Sequence, residues 1–429
     1  MLWLASLAAA FTMNGVQDDT SLLAKLVPVP TGRNGYEDFL RAGDLIGSNN
    51  WAVYDQWIGF KRSHVVMKRA DVDGDTDMPD LPPGVSPEMP ELAVRKAAND
   101  RFGTAYEVLK IGNGKQVWDP RQDVGMTSLF PELSRFKTLA KIGMNKAHVE
   151  FSEGRTTQAI DDLFDGITFS THMYHSVLVS CLVGVAIQAI MLAEFNEHLG
   201  QLSLSDAELI DRKCTVLLAE KLSFADVYKR EAGLASHDLA ELIKSPDLFL
   251  SDEDMKSFGK GFKDLGPADQ LKLQQMVTET LQQRFEAAQQ RMGGEEGDWL
   301  PSEGENDPIP SPRDQSVSNL ALLMANTLSG KDIMRRSAKA IAKGRIQLHL
   351  LQLHAKILEY HWKNNQWPKK IEEFADPKVA FDPFAKSPFH YEVKDGGYRL
   401  YSLGVPGAGP IELKYHQLIA SSSEGNGNP

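Results

Sequence analysis

The sequence has 429 residues, of which 42% are hydrophobic and 24% are charged, a composition typical of soluble globular proteins. Its formal net charge is -12 at pH 7, which argues against nucleic acid and anionic membrane surfaces as partners. The length allows one large domain or a few ordinary ones. We therefore predict an acidic globular protein that does not bind nucleic acid.

The N-terminus predicts export from the cytoplasm. Residues 1–15 read MLWLASLAAAFTMNG, an apolar run followed by small and polar residues, as in a bacterial signal peptide. No Lys or Arg precedes the run, which is also too short to span a bilayer. Retention as a membrane anchor and a buried chain start are the alternatives. We expect an extracytoplasmic protein that is periplasmic, secreted or N-terminally anchored.

A helical lead-in is predicted for residues 16–63, and an acidic, proline-rich loop for residues 64–95. Four aspartates alternate in that loop and are candidate calcium ligands: Asp71, Asp73, Asp75 and Asp77. A complete calcium loop also needs Gly at its sixth position and Glu at its twelfth, where this chain has Thr76 and Pro82. A solvated acidic loop and a low-affinity calcium site are therefore both left open.

Residues 96–344 predict a helical domain organised around a hairpin from about Ser134 to Gly200. Gly154 ends the first helix of the hairpin and occupies the turn-glycine position of a tetratricopeptide unit. The small, large and small positions that follow in such a unit are occupied by Ala159, Leu163 and Gly166. Gly143 and Lys146 depart from that repeat, and no second unit follows. The pair therefore resembles a single tetratricopeptide-like hairpin and not a repeat array.

The most apolar stretch of the chain runs from Val177 to Ala193 and is apolar on nearly its whole circumference. Burial at the centre of a helical bundle is predicted, with a membrane span as the alternative. Cys181 and Cys214 are predicted to be small buried side chains without a disulfide. The next helix is predicted to begin with a capping box formed by Ser205 and Glu208.

The last third of the chain changes character twice. Residues 293–315 are acidic and rich in Pro and Gly, and predict an exposed mobile loop. Residues 345–419 predict a helix followed by an antiparallel β-hairpin with Asp395-Gly396 at its turn. Residues 420–429 predict a disordered tail.

The C-terminal region resembles the major pseudopilins of type II secretion. The matching residues are Trp367-Pro368, Asp382-Pro383-Phe384, Pro388, Tyr398, Tyr401, Ser402 and Gly404. The methylated N-terminal helix of that family is missing at the start of this chain, and VPGAGP replaces its calcium loop. Together with NGYEDFLRAGDLI, the sequence resembles envelope-associated proteins of planctomycete- and armatimonad-type bacteria, which implies a compartment and no reaction.

Histidines are the remaining candidates for chemistry. His172 and His175 lie three residues apart on one predicted helix, and Glu194 and His198 lie four apart on the next. A site shared by these two pairs is geometrically poor, because the pairs lie near opposite ends of the hairpin. Three further histidines follow at spacings of five and seven: His349, His354 and His361. The chain has no HExxH and no GxSxG motif, so no catalytic residue and no cofactor are predicted.

These observations predict a mainly α-helical protein: a helical bundle with tetratricopeptide-like hairpins and a small C-terminal antiparallel β-hairpin region. The function expected is protein binding or scaffolding, with proteins of the cell envelope as partners. A metal-dependent hydrolase using His172, His175 or the helix of His349 to His361 is one alternative. A pilus-like or secretion-system subunit is the other.

Overall fold

The computed structural model describes residues 21–47, 51–69, 79–121, 130–245, 247, 250–300, 309–329, 331–394 and 397–413. The predicted fold class is confirmed, since this part of the chain is mainly helical with small antiparallel sheets near the C-terminus. The helices are Leu22–Leu26 (α1), Gly35–Ile46 (α2), Trp51–Arg69 (α3), Glu91–Asn113 (α4), Pro131–Ser152 (α5), Thr156–His172 (α6), Leu178–His198 (α7), Leu204–Ala219 (α8), Ala225–Lys244 (α9), Asp252–Lys263 (α10), Pro267–Met292 (α11), Val317–Ser329 (α12) and Lys331–Asn364 (α13).

The predicted β-hairpin is confirmed by the pairing of two strands around the expected turn. The strands are Phe381–Asp382 (β1), Ser387–Pro388 (β2), His390–Lys394 (β3), Gly397–Ser402 (β4) and Ile411–Glu412 (β5). β3 pairs with β4 in antiparallel register, with Lys394 opposite Gly397, and β5 adds to the other edge of β4. β1 and β2 form a separate two-stranded sheet. The turn residues 395 and 396 themselves lie outside the described part.

The predicted hairpin is formed by α5, α6 and α7, which pack on one another. Gly154 has φ +76°, the left-handed backbone that a glycine adopts without steric cost, and it ends α5 as expected. At Gly166 on α6 an added Cβ would lie 2.5 Å from the sulfur of Met191 on α7. Glycine at this position therefore lets α6 and α7 approach closely enough to bury Met191 completely.

The most apolar helix, α7, lies in the bundle and contacts α5, α6 and α13. Within the described part of the chain, the stretch Leu178–Gln201 has the length and apolarity that a membrane span requires, and 61% of its most apolar window is buried. Its buried Gln188 accepts a hydrogen bond from Tyr174 (3.0 Å) and donates one to the Gly344 carbonyl (2.6 Å). The helix is thus paired with the rest of the protein through polar as well as apolar contacts.

The two cysteines are free and fully buried, as predicted. Burial raises the pKa of both thiols, so neither Cys181 nor Cys214 forms a reactive thiolate at neutral pH. The capping prediction for the next helix was wrong by two residues. Ser203 is the N-cap of α8, and the capping box joins it to Asp206 instead of joining Ser205 to Glu208.

The segment 293–315, expected to be an exposed mobile loop, is anchored in its first part. Trp299 is fully buried, with its ring centroid 5.1 Å from that of Phe224 and 5.8 Å from that of Phe384. Residues 301–308 of this segment lie outside the described part. The same holds for the predicted signal peptide at 1–15, the tail at 420–429 and the aspartates expected to bind calcium: Asp71, Asp73, Asp75 and Asp77.

The domain boundary drawn between residues 344 and 345 falls inside α13, which is continuous across it. Arg345 on this helix donates to the carbonyls of Leu217 (3.1 Å) and Leu218 (2.9 Å) in the bundle. His354, farther along, contacts Tyr398 on β4 (2.7 Å). A single helix therefore forms part of the bundle and the base of the β region.

Candidate metal centre

A cluster of two histidines and a glutamate lies where α5 packs against α7. Glu194 and His198 are four residues apart on α7, so both side chains project from the same face of that helix. His148 on α5 faces them across the helix pair. Packing of α5 against α7 therefore adds a third potential metal ligand to the two that α7 provides.

One carboxylate oxygen is shared by both rings. His148 Nδ1 and His198 Nε2 each lie 2.7 Å from Glu194 Oε1. The three ligand-type atoms all lie within 4.8 Å of one another. Each imidazole therefore presents a nitrogen to one common point.

Glu194 is held as a carboxylate despite its burial. Its side chain is only 3% exposed, and such burial by itself raises the pKa of the carboxyl. Hydrogen bonds from His148 and His198, together with their positive charge when protonated, outweigh that effect and lower the pKa of Glu194 to about 2. The cluster therefore holds an anionic oxygen at neutral pH, as a metal site requires.

Neighbouring side chains fix the two rings. The Phe151 ring stacks on the His198 ring with centroids 4.2 Å apart and planes 16° apart. The Gln201 amide contacts His198 Nδ1, the nitrogen that faces away from Glu194. A polar group on the outer nitrogen orients a histidine for metal binding. If Nε2 of His198 binds the metal, Nδ1 carries the proton, and rotating the Gln201 amide by 180° lets its oxygen accept that proton.

Two arginines and two glutamates lie around the cluster as ion pairs. Arg62 pairs with Glu91 (2.7 Å) and Glu197 (3.6 Å), and Arg95 pairs with the same Glu91 (2.7 Å). Both guanidinium groups interact electrostatically with Glu194. Glu91 and Glu197 balance the two guanidinium groups, so with both rings neutral the uncompensated charge is that of Glu194 itself, which attracts a cation.

The donor set selects among metal ions. Imidazole nitrogens suit zinc and other transition metals, whereas calcium and magnesium prefer oxygen ligands throughout. Ligand atoms of a tetrahedral zinc ion lie about 3.3 Å apart, so Glu194 Oε1 would have to retreat from each nitrogen by about 0.6 Å. The side chains of His148 and His198 are 18% and 12% exposed, so solvent reaches the cluster from the ring side.

The sequence singled out Glu194 and His198 but not their partner. His148 lies 46 residues before Glu194, and no local spacing links them. Its place one turn before Phe151, at the edge of the apolar stripe of α5, is the signal that points it towards a neighbouring helix. His172 ends α6 and His175 lies in the turn before α7, so both are separated from His198 by the length of α7, about 30 Å at 1.5 Å per residue.

The remaining histidine candidates are dispersed. His349 Nε2 lies 3.2 Å from Glu296 Oε2, His354 is buried beneath β4, and the His361 ring stacks on Trp367 with centroids 3.9 Å apart. These three therefore do not form a site together, although they share α13.

Comparisons of this chain with protein-family models, with curated proteins and with solved structures found no match. The geometry of the cluster is therefore the observation on which a function can be argued.

Proposed function

We propose that the chain binds a divalent transition-metal ion of the zinc class through His148, Glu194 and His198. The observation that carries the proposal is the convergence of two imidazole nitrogens on one buried carboxylate oxygen, both at 2.7 Å. The low pKa of Glu194 supports it, because a metal ligand must be deprotonated and a dication is attracted by the negative charge of that carboxylate.

The ligand count favours a reactive ion over a structural one. Structural zinc sites use four protein ligands, whereas catalytic sites use three and leave a position for water. Within the described part of the chain three ligands converge, from two helices that a large apolar core already joins. A metal ion lowers the pKa of a bound water to about 7, so the site would suit hydrolysis and supports the metal-dependent hydrolase hypothesis with a different set of residues.

Metal binding is tested by titrating chelator-treated protein with Co²⁺ and Zn²⁺. We expect one ion per chain, with the visible absorption of low-coordinate Co²⁺, and at least about 100-fold weaker Zn²⁺ binding in Glu194→Gln and His148→Ala. His390→Gln is the matched control, since His390 is exposed and stacks on Tyr401 away from the cluster. Equal affinity in the wild type and both cluster variants would refute the proposal.

Hydrolysis is tested separately with p-nitrophenyl acetate and p-nitrophenyl phosphate. The zinc-loaded protein should turn over at least one ester faster than Glu194→Gln at the same zinc concentration. If the ion binds stoichiometrically and both proteins show the same rate, the metal-binding proposal stands and the hydrolase is rejected.

The cellular setting remains part of the proposal. The apolar run at residues 2–11 supports export, and the likeness to envelope-associated proteins supports an envelope location. Fractionation of host cells, with the processed mass of the chain, tests both. Recovery of the unprocessed chain in the cytoplasm would reject them.

Protein binding by the C-terminal region is a second candidate function. Among the described residues that follow α13, three large apolar side chains are exposed: Phe381 (43%), Val393 (51%) and Leu403 (50%). The pseudopilin-like residues also contact one another, since Ser402 donates to Asp382 (2.5 Å) and the rings of Trp367 and Tyr398 lie 5.1 Å apart. Both features support a docking role in an envelope scaffold.

Replacing these three side chains with serine should abolish specific envelope partners in a crosslinking experiment and leave folding intact. Unchanged partners would remove this candidate. The pilus-like alternative predicts polymers of purified protein in electron micrographs, and a monodisperse sample would count against it.

A further inference from the structure

A cavity of about 530 Å³ lies at the opposite end of α7 from the histidine cluster. Its wall comes from the segment after α4, from the turn before α7 and from the beginning of α9, with Trp118, Tyr174 and Lys229 representing the three. The volume lies within the usual range for small-molecule pockets, roughly 300–1,000 Å³.

Hydrogen bonds fix the backbone that carries Trp118. The side chain of Asn34, which is 1% exposed, accepts a hydrogen bond from the backbone N–H of Trp118 (3.1 Å) and donates one to the backbone carbonyl of Trp118 (2.8 Å). Gly35 N–H donates to the carbonyl of Gln116 (2.9 Å), which pins the preceding turn of chain. The Trp118 side chain nevertheless remains 42% exposed. A half-exposed indole on a fixed backbone offers a stacking surface, because the backbone loses little freedom when a ligand covers the ring.

Tyr174 contributes its ring to the lining of the cavity. Tyr174 is 4% exposed, and its hydroxyl donates to Gln188 within the bundle. Its ring centroid lies 5.4 Å from that of Phe224. The hydroxyl is thus used inside the protein, and the ring is what Tyr174 offers to the cavity.

Two cations stand at the rim. Lys229 and Arg230 on α9 are exposed, and neither forms an ion pair with a carboxylate within the described part of the chain. Asp226 also lines the cavity, so the charge of the lining is net positive. Ser223 adds a hydroxyl whose oxygen accepts from the Ala225 N–H (3.4 Å), which leaves its proton to donate. These donors suit a carboxylate or a phosphate group.

We infer that this cavity binds a small organic anion with a planar face. The anionic group would be held by Lys229, Arg230 and Ser223, and the planar face would cover the indole of Trp118. This site is independent of the metal proposal, since Tyr174 precedes α7 and His198 ends it, about 30 Å apart along the helix.

The test measures binding of two planar anions and their neutral counterparts by calorimetry. The pairs are indole-3-acetate with indole-3-acetamide, and AMP with adenosine. We expect saturable binding of at least one anion, about tenfold or more tighter than its neutral counterpart. The variants Lys229→Gln with Arg230→Gln, and separately Trp118→Ala, should each weaken that binding about tenfold or more.

Lys221→Gln is the control, because Lys221 is an exposed lysine that pairs with Glu295 outside the cavity. It should bind the anion as the wild type does. Thermal unfolding of every variant establishes that the fold is retained. The inference is overturned if neither anion saturates up to millimolar concentration, if acid and amide bind alike, or if the cationic double variant binds as tightly as the control.

Discussion

Two histidine sites in this protein differ in what surrounds the imidazole. His354, on α13, is closed off between the hydroxyl of Tyr398 (2.7 Å) and the carbonyl of Leu413 (3.0 Å). Burial lowers the pKa of His354 to about 4, and the hydrogen bond to the Leu413 carbonyl opposes this only in part. The ring is therefore neutral at pH 7, with Nε2 donating to the carbonyl and Nδ1 accepting from the tyrosine.

The cluster of His148, Glu194 and His198 is the opposite case. Two rings share one anionic oxygen, and both side chains keep some exposure to solvent. This difference in the partners of the imidazole nitrogens distinguishes a structural histidine from a potential metal ligand. A ring whose two nitrogens each meet one neutral partner joins two elements, whereas rings that converge on a carboxylate retain the capacity to bind a cation.

The largest effect on stability is expected for His354→Ala, which removes the structural histidine. The substitution leaves a cavity and removes the hydrogen bonds that His354 makes to Tyr398 and Leu413, so we expect a loss of about 3–4 kcal/mol in the free energy of unfolding. Urea denaturation measures it. Zinc affinity should be unchanged, and a parallel loss of zinc binding would mean that the two sites are coupled.

Stabilisation by zinc should depend on the metal cluster and not on His354. A ligand that binds only the native state at 100 times its dissociation constant stabilises that state by about 2.7 kcal/mol. We expect this gain in the wild type and in His354→Ala, but not in His148→Ala. Thermal unfolding with and without zinc makes the measurement, and a gain retained in His148→Ala would contradict the assigned ligands.

The neutral state of His354 predicts a pH dependence. Its pKa is about 4 in the folded protein and 6.5 for an unperturbed histidine, so the unfolded chain binds the extra proton between these values. Stability should be complete above pH 6.5 and fall by at least about 2 kcal/mol as the pH drops to 4. Denaturation midpoints across this window should flatten in His354→Gln and not in His390→Gln. An equal slope in His354→Gln would exclude His354 as the cause.

The smallest effect is expected at Gln201. Its amide contacts the outer nitrogen of His198, so Gln201→Ala should weaken zinc binding about tenfold without changing stability. Competition with a chromophoric chelator resolves such a change. If affinity is unaltered, the amide does not orient the ring.

The main features of the fold were predictable because they follow from local patterns. The all-round apolar surface of α7 predicted its burial, and the left-handed Gly154 predicted the end of α5. The start of α8 was ambiguous, since Ser203 and Ser205 are each followed three residues later by an acid. The structure has the cap at Ser203, so pattern alone placed the helix start two residues late.

The candidate site was only half visible in the sequence. A four-residue spacing displays Glu194 and His198, but their partner depends on which turn of α5 lies against α7. Trp299 illustrates the same limit, because its acidic and glycine-rich surroundings predicted exposure and its burial depends on Phe224 and Phe384. Contacts between distant segments carry this information, and periodicity does not.

The continuity of α13 has a consequence for how such a protein can change over generations. The helix has 34 residues and extends for about 51 Å, with fully buried residues such as Ile346 in the bundle and Ile357 farther along. Recombination within α13 would join two helix halves from different proteins, and the buried side chains of each half would then face neighbours with which they had not evolved. The β region is therefore not a cassette that can be exchanged at residue 345, and a viable graft would have to begin before Lys331.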